Sequence, residues 1–273
     1  MVALAPVCEA QTIPGFREAG ASTRVRLFTR SEAKPGRRER TDLQRTDAYL
    51  ARLEVQLGQP LPERIDYYRY ERPEDIAAQT GVYATGLTHV GDAVVYSTLD
   101  YHPHELVHAV AGRMGDPGRF FHEGLAVALG DEGRWGARDV HDLARPRARA
   151  FDWPTLRDGF DRLEADVAYP LAGSFVKHLI EREGLAHLAA FFRACSGPRN
   201  AASAFRATYG RSLDDAVADW QQRLGSGRKD FPSTGNASRI AAAAAPQADS
   251  GNTLADLRLA PEAALGTSAA IKR

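Results

Sequence analysis

A chain of 273 residues that is 44% hydrophobic and 26% charged has the composition of an ordinary globular domain with a sizeable core. Its 35 basic residues balance 35 acidic ones, which removes any general electrostatic argument for nucleic acid or an anionic membrane as partner. No apolar run reaches the length of about eighteen residues that a membrane span needs.

Residues 1–22 read as a ragged N-terminus. Met1 to Val7 is small and apolar, and Cys8 and Ala10 would suit signal-peptidase cleavage, although no basic segment precedes them. The reading favours export, periplasmic or extracellular, over a cytoplasmic location. Cleavage there would leave Cys195 as the sole cysteine, so no intramolecular disulfide is expected. Arg24 to Thr29 alternates as a strand, and Leu43, Leu50, Leu53 and Leu57 form the stripe of a helix that stops at Gly58. The basic stretches Arg37-Arg38-Glu39-Arg40 and Arg145-Pro146-Arg147-Ala148-Arg149 read as solvated loops. Ile65 to Tyr70 is a second strand whose tyrosines pack, and a short helix starts at Pro73. Thr80 to Thr98 then reads as a β-hairpin with Gly91-Asp92 at its turn. Its exposed edge could pair with an extended peptide, or the hairpin could simply cover the core.

The densest signal follows at once, in His104-Glu105-Leu106-Val107-His108. Histidines four apart on a helix share a face, so both imidazoles can reach one ion, while Glu105 lies beside that face as a base rather than a ligand. Pro103 suits a first helical turn, with Asp100 or His102 as cap, and Gly112 and Gly115 end the helix. Phe120 to Leu129 reads as a second helix closed by Gly130, and the turn Gly115-Asp116-Pro117-Gly118 folds Glu123 back toward the histidines.

Together with Phe121-His122-Glu123-Gly124-Leu125-Ala126, the first motif resembles the gluzincin zinc peptidases, in particular the bacterial peptidase MA-like group. That group carries E-G-x-A on the following helix. The resemblance makes Glu123 the third metal ligand beside His104 and His108, with one Zn2+ ion as cofactor. Ala168 to Val176 is similar to the helix opening where these families carry a tyrosine, here Tyr169 just ahead of a helix at Pro170. Tyr209-Gly210-Arg211-Ser212-Leu213 and Trp220 resemble their C-terminal helix. The likeness covers residues 80–224, and His122 departs from it as an extra candidate ligand. What it implies is zinc-dependent hydrolysis of peptide bonds in a peptide or protein substrate. In that scheme Glu105 takes a proton from a metal-activated water and Tyr169 stabilises the oxyanion, with His178 as a fallback donor. The alternative is a non-catalytic peptide- or protein-binding module on the same scaffold.

From Thr155 onward only helices are expected: Pro170 to Glu183, Leu185 to Ala194, Ala201 to Thr208, and Ser212 to Leu224 with a capping box at Asp215. The fold class is α+β, gluzincin-like: a small mixed sheet with a metal-binding helix pair (residues 23–150), then an all-helical half (151–224). Residues 225–273, with the run Ala241 to Ala245, have the composition of a flexible tail. The sequence assigns no oligomeric state.

Overall fold

The computed structural model describes residues 13–30 and 36–226, so the signal-peptide reading and nearly all of the tail reading of residues 225–273 lie outside the described residues, whereas Arg17–Ala21, expected within a ragged N-terminus of residues 1–22, forms a strand. The fold is α+β. Five strands, β1 (Arg17–Ala21), β2 (Val25–Thr29), β3 (Ile65–Arg69), β4 (Gly86–His89) and β5 (Val94–Ser97), form one mixed sheet in the order β1-β2-β3-β5-β4. The pairs β2–β3 and β3–β5 are parallel, which demands crossovers, and helices α1 (Arg37–Leu57) and α2 (Pro73–Thr80) lie in them. The hairpin β4–β5 is antiparallel, as its turn chemistry requires, and leaves β4 at the sheet edge.

Alternation of side chains along each strand divides two cores. On β3, Ile65 and Tyr67 join α1 (Tyr49, Leu50, Leu53, Leu57) and the metal-motif helix on one face. Tyr68 and Tyr70 pack with Phe16, Phe28, Ile76 and Tyr96 on the other, so these tyrosines serve packing. Asp66, which shares that second face, is held by Arg26 at 2.6 and 2.8 Å.

Helix α3 (Pro103–Ala111) carries the His104 motif, and α4 (Arg119–Leu125) carries Glu123 and runs straight into a π-helical turn, Ala126–Gly130. A two-stranded hairpin, β6 (Arg134–Trp135) with β7 (Arg138–Asp139), and α5 (Val140–Ala144) follow. The remainder is helical: α6 (Trp153–Gly159), α7 (Ala165–Glu183), α8 (Leu185–Ala194), α9 (Ala201–Tyr209) and α10 (Leu213–Gly225). Ser212 caps α10 with Asp215 in a capping box, as its spacing predicts. Helix α7 is the spine of this half and packs on α4, α5, α8, α10 and the π turn.

Three local expectations are corrected. Arg37–Arg40 is not a loop but the first turn of α1, where Glu39 caps the amide of Gly36 at 3.0 Å. Helix α7 starts at Ala165, five residues before Pro170, so Tyr169 lies in its second turn instead of ahead of it. An interior proline costs about 3 kcal/mol, but burial of the helix against several partners outweighs that, and the amides of Val167 and Ala168 anchor its start on the Glu164 carbonyl. The helix after Gly118 is also not uniform to Gly130, because its last turn widens to π.

Candidate metal centre

Proline at the first turn of α3 costs no hydrogen bond, and the apolar residues Leu106, Val107 and Val110 bury the helix, leaving His104 and His108 side by side with ring centroids 4.9 Å apart. Helix α4 returns Glu123 to them. Its Oε2 lies 3.2 Å from His104 Nε2 and 3.3 Å from His108 Nε2. One donor atom from each of the three residues falls within 4.8 Å of the others, a set that could hold a metal ion. All are buried: Glu123 is 0%, His108 1% and His104 4% exposed.

Hydrogen bonding tests whether a cation fits. Although His108 borders Glu123, neither of its ring nitrogens makes a hydrogen bond in acceptable geometry. A buried polar atom left so costs about 1–3 kcal/mol, and coordination of a cation would remove that cost at Nε2. The second imidazole is oriented for the same purpose. His104 Nδ1 lies 2.7 Å from Asp131, and donation of the Nδ1 proton to that carboxylate leaves the Nε2 lone pair facing Glu123 and His108.

The charges agree. Without a cation, burial opposes protonation of His104, but the carboxylates of Asp131, Glu123 and Glu105 outweigh it and hold its pKa well above the ordinary value, so a bound cation would take the place of the Nε2 proton. Burial likewise opposes ionisation of Glu123, yet the His108 and His104 rings win and keep it far below the usual carboxylate range. Carboxylate charge therefore converges on two buried imidazoles, a donor set suited to a divalent cation. Comparison with protein-family models and with curated proteins gives no match. The chemistry of the centre thus rests on its own residues.

Asp131 reaches His104 through the π turn. Its amide bonds the Ala126 carbonyl five residues back, and Gly130 lies directly on the start of α3. A Cβ on Gly130 would fall 2.6 Å from His104 Cα, so only glycine allows that approach.

Glu105 is fully buried and is not among the converging donors. Thr88 Oγ1 on β4 lies 2.8 Å from its Oε2 and fixes the carboxylate. Strand β4 can come so close because Gly86 carries no side chain. A Cβ there would stand 2.7 Å from Glu105 Cγ and 2.3 Å from His102 Cε1. The first turn of α3 has no side-chain cap. His102, at its N-cap position, bonds Ser97 Oγ at 2.9 Å through Nδ1.

Tyr169 is brought to the centre by α7, its ring 6.3 Å from that of His104 and stacked on Trp135 at 4.8 Å. Burial and the Glu123 charge push its pKa up, so the phenol stays protonated and remains a hydrogen-bond donor. Its hydroxyl accepts from Arg119 Nη2 at 3.4 Å.

The two extra histidines lie elsewhere. His122 turns away from the cluster, its Nε2 3.4 Å from Asp116 and its ring against Phe192, and burial depresses its pKa to about 3. His178 bonds Asp219 on α10 at 3.0 Å and belongs to the interface of α7 with that helix. Sequence reasoning did not find Asp131, Thr88 or Arg119. Of these Arg119 alone left a trace, at four residues before Glu123 on one helix.

Proposed function

We propose that this protein is a zinc-dependent peptidase with a gluzincin-like centre. One observation carries the reading: a buried carboxylate, Glu105, is held beside the converging His104, His108 and Glu123 without being one of the donors. An acid held near the three donors but not converging with them is placed as a general base toward water requires.

Two imidazoles and one carboxylate match the three protein ligands of catalytic zinc centres. Bound there, zinc would supply Lewis acidity toward a carbonyl oxygen and toward water. The remaining work belongs to the chain. Glu105, steadied by Thr88, takes the proton of the attacking water and passes it to the leaving amine. Tyr169, protonated and buried, donates to the carbonyl oxygen as negative charge develops there. Asp131 holds His104 in its ligand tautomer.

Strand β4 is the edge strand beside the centre. The Thr98 amide bonds the Thr85 carbonyl, and in the register Gly86↔Ser97, Leu87↔Tyr96 the hydrogen-bonded positions of β4 are Thr85, Leu87 and His89. The backbone groups of Gly86 and Thr88 then face the outer edge, next to Glu105, but both residues are buried, so an extended peptide adds there as a further strand only once that edge is uncovered.

Metal analysis combined with a peptide-library digest tests the whole reading, using wild type and Glu105→Gln with and without chelator and reading products by mass spectrometry. The expected result is zinc in both proteins, cleavage by wild type alone, and loss of cleavage on chelation. Zinc retained without cleavage by either protein would leave a binding module, and cleavage that survives chelation would exclude the metal.

A further inference from the structure

Arg119, the first residue of α4, touches two residues of the proposed chemistry, Glu123 and Tyr169. Its Nε donates to Glu123 Oε1 at 3.3 Å and its Nη2 to the Tyr169 hydroxyl at 3.4 Å. Its Nη1 meets Asp161 at the exposed rim, and the Phe160 ring lies 5.6 Å from the guanidinium. A guanidinium is planar, and its donors point in fixed relative directions, so two groups bound to it cannot shift independently.

Two consequences follow for the centre. With Oε1 engaged by Arg119, Glu123 turns only Oε2 to the imidazoles, the atom found 3.2 and 3.3 Å from their Nε2 nitrogens. And because the phenol oxygen accepts from Arg119, the proton of Tyr169 is directed away from the arginine. We propose that Arg119 is a positioning residue that sets the one-oxygen presentation of Glu123 and the donor direction of Tyr169 together. This rests on the peptidase reading, and it assigns Arg119 no contact with substrate.

The test uses the full chain as wild type, Arg119→Lys, Arg119→Gln, Tyr169→Phe and the double variant Arg119→Lys/Tyr169→Phe. Each is titrated with Co2+ alone, followed by its visible absorption, and each is assayed on peptide after zinc loading. Lysine keeps the charge over Phe160 but lacks the fork. Both Arg119 variants are expected to change the shape of the Co2+ band and to weaken Co2+ binding about ten- to a hundredfold. Arg119→Lys should lower kcat by a similar factor while KM moves less than about twofold, and it should add no further loss in the Tyr169→Phe background. The proposal is overturned by a wild-type Co2+ band and affinity in both Arg119 variants. Losses in kcat that multiply in the double variant, or an unchanged kcat in Tyr169→Phe, also overturn it. If wild type cleaves no peptide, the peptidase reading fails by itself, and the Co2+ titrations still decide whether Arg119 governs Glu123.

Discussion

His108 and His141 are buried to nearly the same degree, 1% and 5% exposed, and both sit on helices packed inside the molecule. Their surroundings differ in one respect. His141 is satisfied at both nitrogens, Nδ1 2.8 Å from Ser174 Oγ and Nε2 3.3 Å from Glu181, and Ser174 in turn accepts from Trp220 Nε1 at 2.9 Å. His108 makes no hydrogen bond of its own and faces His104 and Glu123 instead. Burial therefore does not mark a functional histidine. What sets His108 apart is that both its nitrogens lack a hydrogen bond while its ring converges with His104 and Glu123, where coordination of a cation by Nε2 would return part of that cost.

The sharpest way to break this contrast is to remove each ring in turn. His108→Ala should abolish stoichiometric zinc, measured by metal analysis, whereas His141→Ala should keep it. Zinc lost in His141→Ala, or kept in His108→Ala, would erase the distinction. Next in size, Glu105→Gln should retain zinc and reduce kcat about 10²- to 10⁴-fold, the ordinary worth of a positioned general base. Equal loss of metal and activity would make Glu105 a ligand instead. Tyr169→Phe should cost about a hundredfold in kcat or more if its hydroxyl meets the developing oxyanion, and steady-state kinetics with unchanged turnover would take it out of the mechanism.

Stability gives the smaller effects. His141→Ala takes one hydrogen-bond partner from Ser174 and one from Glu181, whereas Trp220 keeps Ser174, and it should destabilise the chelated protein by about 1–3 kcal/mol in urea unfolding, while His108→Ala should leave it unchanged or more stable. At the same interface His178 sharpens the contrast through pH. Burial outweighs the pull of Asp219 and depresses its pKa to about 4. Unfolded, it titrates near 6.5, so between those values the unfolded chain binds a proton that the folded chain refuses. Stability should accordingly fall as pH drops from about 6.5 toward 4. His178→Gln should flatten that part of the melting-temperature profile, and an unaltered profile would show that His178 does not titrate there.

What the sequence determined by itself was local. Four-residue spacing places His104 and His108 on one helical face whatever the rest of the chain does, and proline and glycine set where that helix can begin and end. Alternation read β2 and β3, and leucine spacing read α1, because a stripe facing a core must follow the period of its element. Strands β6 and β7, of two residues each, were too short to be legible, and β1, Arg17-Glu18-Ala19-Gly20-Ala21, carries no large apolar residue to mark a period.

Only the tertiary structure decided which groups meet. Asp131 reaches His104 through a widened turn that no spacing rule encodes, and Thr88 fixes Glu105 from a strand whose register depends on β5. His122 and Glu123 are neighbours in sequence, yet consecutive helical residues point about 100° apart, and so one joins the cluster and the other faces Asp116. Tyr169 was placed by a helix that runs through Pro170 because its packing outweighs the proline. Motifs fix directions along one element. Convergence of directions from several elements is a property of their packing, and it has no local signature.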